Sequence, residues 1–155
     1  MNRILGFFCI AVFSIFFGSQ ITEGCLLVPY WKTLPAAEFY EYYSRAGLTI
    51  GRYYTSLTVI AALIPIGISG YCFHKKSAAL SYALLASFFT FLGIALFYGY
   101  FKDINQQFLE GSLQATQLKT ELQIWGYWHW TRVVLELLAL IFLVLTFNIL
   151  IKKKN

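Results

Sequence analysis

The segment W-G-Y-W-H-W-T-R-V-V-L-E, residues 125–136, opens an apolar run that continues to residue 151. It places an imidazole, a guanidinium and a carboxylate among three tryptophans. On a helix Trp125, Trp128, His129, Arg132 and Glu136 share one side, because successive members are three or four residues apart. Ionisable groups inside a membrane span usually face the bundle interior or a cavity. If this segment crosses a membrane, it therefore predicts a polar site inside a helix bundle.

The composition indicates an integral membrane protein. Of the 155 residues, 59% are hydrophobic and only 12% are charged, whereas about 25% are charged in an average soluble domain. Four apolar runs have about the 20 residues that a membrane-spanning helix needs. We predict an all-α fold: a single membrane domain, residues 1–155, that forms a four-helix bundle. The predicted spans cover residues 4–28, 48–73, 77–100 and 125–151.

The first run is interpreted as a retained span and not as a signal peptide. It is longer than the apolar region of about 7–15 residues in a signal peptide, and Glu23 stands where a cleavage site needs small residues. The two prolines of residues 29–35 predict the end of this helix.

Residues 36–47 predict a short amphipathic helix after the first span. Phe39, Tyr40 and Tyr43 form one stripe on it, which is typical of a helix lying along the membrane interface. It would either cover the mouth of the bundle or anchor it. Residues 108–124 predict a polar helical connector on the same side of the membrane.

The net charge of +5 is distributed as in membrane proteins and does not indicate a nucleic-acid-binding surface. Six basic residues without an acidic neighbour fall on one predicted side: Arg3, Lys75, Lys76, Lys152, Lys153 and Lys154. Because basic residues mark the cytoplasmic side, both termini are predicted to be cytoplasmic. Membrane lipids are the expected surroundings, and homo- or hetero-oligomers are compatible with the pattern.

Polar residues fall at the outer end of every predicted span. The groups are Gln20 with Glu23, Arg52 with Tyr53, Asp103 with Asn105, and residues 125–136. Together they predict an outward-facing aromatic and polar pocket that binds a small apolar or aromatic ligand. Two other interpretations remain: the charges only neutralise one another between helices, or the protein is a carrier.

Neither a metal nor another cofactor is predicted. His129, Glu136, Glu23 and Asp103 could form a metal site, but a single bundle histidine is few for zinc or iron. The cysteines at positions 9, 25 and 72 lack paired spacing and are interpreted as small buried residues.

Four short motifs resemble the anthrone oxygenase-like family of small four-helix membrane proteins, most of which are bacterial. They are G-C-L-L-V-P-Y-W at residues 24–31, L-P-A-A-E-F at 34–39, D-I-N at 103–105 and W-G-Y-W-H-W-T-R at 125–132. The resemblance implies the bacterial cytoplasmic membrane and an oxygenation without an organic cofactor.

In that enzymatic hypothesis His129 is the general base that removes a proton from the substrate. A histidine suits this role because its ordinary pKa, about 6.5, permits proton transfer near neutrality. Arg132 would stabilise an enolate oxygen, Trp125 and Trp128 would stack on a flat substrate, and Asn105 would donate a hydrogen bond.

Overall fold

The computed structural model describes residues 3–152 and consists of four long helices. They are α1 (Arg3–Thr33), α2 (Ala36–His74), α3 (Leu80–Glu110) and α4 (Ala115–Lys152), and all four are long and apolar enough to cross a membrane. The predicted all-helical fold with four such helices is confirmed. At 1.5 Å per residue, even the 31-residue helices are about 46 Å long, beyond the roughly 30 Å of a hydrocarbon core. Met1, Asn2, Lys153, Lys154 and Asn155 lie outside the described residues.

The helices run antiparallel. Gly6 of α1 lies against Phe147 of α4, and farther along the same pair Lys32 Nζ donates a hydrogen bond to Gln123 Oε1 at 3.0 Å. Both described termini and the turn between α2 and α3 therefore lie at one end of the bundle, the single-loop end. The connections α1–α2 and α3–α4 lie at the other, the double-loop end.

Two buried clusters of different composition hold the bundle together. The alanine-rich cluster, toward the single-loop end, consists of Phe13, Phe16, Ala61, Ile68, Cys72, Ala79, Ala83, Ala86, Ala139, Leu143, Phe147 and Leu150. The aromatic cluster, toward the double-loop end, consists of Val28, Trp31, Phe39, Tyr43, Phe101, Ile104, Phe108, Leu118, Leu122 and Trp125. Small side chains let helix backbones approach closely, whereas rings fill a wider space between them.

A turn of π-helix interrupts α1 at Glu23–Leu27 and α3 at Phe97–Phe101. Each wide turn adds a residue and rotates the helix beyond it relative to the helix before it. In both helices the residues before the π turn pack in the alanine-rich cluster and those after it in the aromatic cluster. The two π turns therefore mark the level at which one kind of packing changes to the other.

The first helix ends within the predicted segment 29–35, but at its second proline and not its first, because α1 continues through Pro29 to Thr33. The π turn that precedes Pro29 widens the backbone where a proline ring would otherwise crowd the carbonyl of the preceding turn. The helix ends before Pro35, where Leu34 adopts an extended conformation with ψ 138°, as the residue before a proline tends to do.

The predicted separate helix at residues 36–47 is also corrected, since these residues form the first turns of the 39-residue α2. Neither a proline nor a residue of positive φ interrupts α2 at this point. The aromatic stripe of Phe39 and Tyr43 is real, but it packs into the aromatic cluster and does not lie on a separate surface.

The predicted connector at residues 108–124 is mostly part of the helices. α3 continues to Glu110, and α4 begins at Ala115. Gly111 makes the turn with a left-handed φ of 62°, a conformation that costs a glycine little. The limits of the membrane spans themselves stay predictions.

Candidate functional site

A buried polar cluster joins α1 to α4 between the two packed clusters. It consists of Gln20, Glu23, His129, Arg132 and Glu136. Gln20 is 1% exposed, Glu23 and Glu136 are 4% exposed, and His129 is fully buried. All five were singled out in the sequence, and the structure brings them together.

Arg132 is the centre of this cluster. Its Nη2 lies 2.6 Å from Gln20 Oε1, 3.1 Å from Glu23 Oε2 and 2.9 Å from His129 Nδ1. Because Nη2 carries two hydrogens, one of them is shared between two acceptors. The guanidinium also lies over the Phe101 ring, 4.7 Å from its centre, in a cation–π contact.

The partners of His129 define its protonation state. Nε2 lies 2.9 Å from the backbone oxygen of Gln20, which only accepts, so Nε2 carries the proton. Nδ1 then accepts the hydrogen bond from Arg132, which an imidazolium could not do. His129 is therefore a neutral imidazole with both nitrogens engaged, and Trp125 stacks on its ring at 5.1 Å.

Gly24 permits this approach of the two helices. A Cβ atom at Gly24 would lie 2.9 Å from His129 Nε2 and 3.1 Å from the Trp130 ring. Only a glycine leaves room here for the imidazole to reach the backbone oxygen of Gln20.

Beside the polar cluster lies a cavity of about 190 Å³. Residues of all four helices line it: Phe16, Glu23, Trp31, Tyr43, Gly47, Ile50, Gly51, Tyr54, Thr55, Thr58, Val59, Thr90, Gly93, Ile94, Phe97, Tyr98, Asn105, Trp125, Arg132 and Glu136. Seven of these are aromatic, and Glu23, Arg132 and Glu136 supply its charge. The cavity opens between α2 and α3, where the lining residues Val59 and Tyr98 are 55% and 65% exposed.

Two further predicted residues, Asn105 and Trp125, also lie at this cavity. The Asn105 Oδ1 accepts a hydrogen bond from the Trp125 indole at 2.9 Å. Asn105 thus orients the Trp125 ring through its side-chain oxygen. This contact accounts for the position of Asn105 without the predicted hydrogen bond to a ligand.

Arg52, Tyr53 and Asp103 were predicted to form walls of the pocket, and this part of the prediction is corrected. All three are exposed and do not line the cavity. The inward side of α2 is formed by Gly51, Tyr54 and neighbours one turn away, so Arg52 and Tyr53 point elsewhere by the helical period.

Trp128 and His129 also differ from the prediction. Trp128 is about 60° from Trp125 around a helix of 3.6 residues per turn; it is 39% exposed and contacts Tyr100. His129 belongs to the polar cluster but does not line the cavity. A direct proton transfer between His129 and a molecule in the cavity is therefore not supported by this geometry.

The sequence predicts an aromatic pocket but identifies only Trp125 among the aromatic residues that line the cavity. Trp31 is absent from the predicted pocket, yet it is 2% exposed and contacts the rings of Tyr43 and Trp125. Tyr54 was passed over for its neighbour Tyr53. The signal in the sequence for the cavity side of α2 is a face of small residues. Gly47, Gly51, Thr55 and Thr58 recur there at spacings of three or four residues.

Within residues 3–152, no three histidine, cysteine, aspartate or glutamate side chains are grouped so that they could hold a metal ion. The cavity instead offers aromatic surface, two carboxylates and one guanidinium. Such a site is suited to a small, largely apolar molecule that carries a polar group.

Comparisons with protein-family models, with curated proteins and with solved structures give no match. The resemblance to the anthrone oxygenase-like family therefore stays a prediction, and function is argued from geometry. The fold and the site define a four-helix bundle with a charged, aromatic cavity that opens between two of its helices.

Proposed function

We propose that this chain is an integral membrane protein that binds a small apolar or aromatic ligand in the cavity between α2 and α3. Large apolar side chains cover the outside of the bundle, among them Phe7, Phe8, Phe73 and Phe88, each more than half exposed. Such a surface is unfavourable in water and favourable in lipid.

In the proposed topology both termini are cytoplasmic, in a bacterial cytoplasmic membrane. Arg3, Lys75, Lys76 and Lys152 lie at the single-loop end, which would face the cytoplasm by the positive-inside rule. An externally accessible reporter attached after Asn155 would contradict this orientation; a reporter that only a cytoplasmic label reaches is the expected result.

The observation that carries the ligand proposal is a cavity of about 190 Å³ whose twenty lining residues include seven aromatic ones. An apolar protein cavity of about 150 Å³ is large enough for benzene. The interior therefore accommodates one aromatic ring with a short substituent. Because the opening lies between two lipid-facing helix surfaces, the ligand would enter from the bilayer.

The alternative function, an oxygenase with His129 as general base, is less well supported by the geometry. His129 is fully buried, and both of its nitrogens have partners inside the bundle. Of His129 and Arg132, only Arg132 lines the cavity. There it can stabilise a polar group of the ligand without removing a proton from it.

Quenching of tryptophan fluorescence tests ligand binding, because Trp31 and Trp125 both line the cavity. The protein in lipid nanodiscs is titrated with 1-bromo-4-ethylbenzene, an apolar ring with a heavy-atom quencher. We expect a saturable component of quenching above the linear component that results from partitioning into lipid.

Two variants on adjacent positions of α2 localise that component. Thr55→Phe places a ring in the cavity lining and should abolish saturable quenching. Ser56→Phe is the matched control, since Ser56 is exposed and does not line the cavity. Quenching that is linear in the wild-type protein, or saturable in both variants alike, would refute binding in this cavity.

A further inference from the structure

Three buried polar atoms beside the cavity have no hydrogen-bond partner within residues 3–152. They are the Nε of Arg132, the Oε2 of Glu136 and the indole Nε1 of Trp31. All three residues line the cavity, and Glu136 and Trp31 are 4% and 2% exposed. Buried polar atoms in native proteins nearly always have a partner, so these three indicate the polar chemistry of the ligand.

The directions and distances within the polar cluster explain why Arg132 Nε and Glu136 Oε2 have no hydrogen bond there. Arg132 directs Nη2 toward Gln20, Glu23 and His129, while its Nε lies 3.9 Å from Glu136 Oε1. That distance is too long for a hydrogen bond. The ion pair therefore leaves one donor on Arg132 and one acceptor on Glu136 without a partner among the described residues, and both side chains line the cavity.

The three atoms comprise two donors and one acceptor. A hydroxyl group offers the complement, one O–H donor and two acceptor lone pairs. A carboxylate ligand could only accept and would face Glu23 and Glu136, whereas an ammonium could only donate and would face Arg132. An ether or a ketone would leave the Glu136 oxygen without a donor.

The size and the opening of the cavity define the remainder of the molecule. One ring fits inside, and a longer apolar chain must leave through the opening beside Val59 and Tyr98, which are both exposed. The molecule would thus have its polar end inside the bundle and its apolar end in the lipid.

Resting on the ligand-binding function, we propose that the cavity selects hydroxyl-headed amphiphiles, alcohols or phenols on a single ring with an apolar tail. The hydroxyl group donates to Glu136 and accepts from Arg132, whose Nε lies 3.9 Å from that carboxylate. The Trp31 indole offers a further donor at the wall of the same cavity. The charged cluster then acts as a specificity site for one polar group, in addition to holding α1 to α4.

The test compares 4-butylbenzyl alcohol with its methyl ether as competitors of 1-bromo-4-ethylbenzene in the quenching assay. The two competitors share ring and tail and differ in one O–H donor. We expect the alcohol to bind at least about tenfold more tightly than the ether, as expected for a hydrogen bond to a charged group.

Glu136→Met removes the acceptor at similar size, and Glu23 remains to balance Arg132. In this variant the preference for the alcohol should fall to within about twofold. Trp31→Phe keeps a ring, removes one donor and should weaken binding of the alcohol more than binding of the bromo probe. This variant gives a second readout if Glu136→Met does not fold.

The possible failures are distinct. If the bromo probe quenches saturably but the alcohol and the ether compete equally, the three polar atoms bind water only, and the selectivity proposal is wrong while the cavity function stands. A preference that persists in both Glu136→Met and Trp31→Phe would place the hydroxyl elsewhere and also overturn it. If the bromo probe itself never saturates, the ligand-binding function fails first.

Discussion

The alanine-rich cluster and the aromatic cluster both fill the space between the helices, but they do so with side chains of different size. In the first, Ala83, Ala86 and Ala139 are fully buried and let the helices meet closely. In the second, rings such as Trp31 and Phe108 fill wider gaps. The cavity and the polar cluster lie where the two meet, at the level of the π turns. The difference teaches that a change from alanine-rich to aromatic packing within one bundle can accompany a site without a separate domain.

Removal of the central cation should have the largest effect on this arrangement. Arg132→Met leaves Glu23 and Glu136 buried without their counter-charge and removes the donor to Gln20 and His129. We expect the free energy of unfolding in mixed micelles to fall by about 3–5 kcal/mol.

Arg45→Met is the matched control, since Arg45 also pairs with a glutamate four residues away, at 2.6 Å, but with side chains 77% and 61% exposed. Exposed pairs contribute little, so no measurable change is expected. Equal losses in both variants would mean that the polar cluster does not join α1 to α4 as described.

The tightness of the alanine-rich cluster is the next property to test. Ala86→Leu adds volume at a fully buried helix contact and should lower the free energy of unfolding by about 1–3 kcal/mol. Thr55→Leu adds volume at the cavity instead and should change it by no more than about 0.5 kcal/mol. If both variants unfolded equally easily, the two regions would not differ in packing.

A smaller loss is expected where α1 meets the imidazole. Gly24→Ala would displace His129 from the Gln20 oxygen, and the gain in helix propensity of up to about 1 kcal/mol offsets part of the cost. We expect a net loss of about 1 kcal/mol in the same unfolding assay. Gly18→Ala, with nothing within 4 Å of the added Cβ, should be neutral or slightly stabilising; a loss there as large as at Gly24 would contradict the proposed contact.

The smallest effect on stability, and a kinetic effect on binding, should follow from narrowing the opening. The Cβ of a Gly51→Leu variant meets nothing within 4 Å, yet its side chain stands at the mouth of the cavity. Stopped-flow quenching should show slower association of 1-bromo-4-ethylbenzene. Gly67→Leu is equally unhindered on α2 but remote from the cavity, and its association rate should equal that of the wild-type protein.

The sequence predicted the four helices because long apolar runs with few charges have one structural interpretation. It did not predict that α1 continues past Pro29, which a π turn accommodates. Nor did it predict that the helix containing residues 36–47 continues past Gly47 as part of α2. Both are tertiary effects: the gain from packing in the aromatic cluster outweighs local signals that favour a break.

The site could be predicted where charged residues, which are rare in apolar helices, also recur at helical spacing. Charged residues in apolar helices are costly, so Glu23, Arg132 and Glu136 could be identified by type alone. Arg52 and Asp103 are equally charged, but they lie near the ends of the predicted spans 48–73 and 77–100, where a charged side chain can face inward or outward. Trp31 could not be assigned to the cavity, because aromatic residues near a predicted membrane boundary occur on every face.

The central claim is that a ligand occupies the space between the two packed clusters. The most direct measurement is anomalous diffraction from crystals soaked with 1-bromo-4-ethylbenzene. We expect a bromine peak inside the cavity, between Tyr54, Gly93 and Arg132. Bromine peaks confined to the outer surfaces of the helices, with none inside that cavity, would contradict ligand binding there.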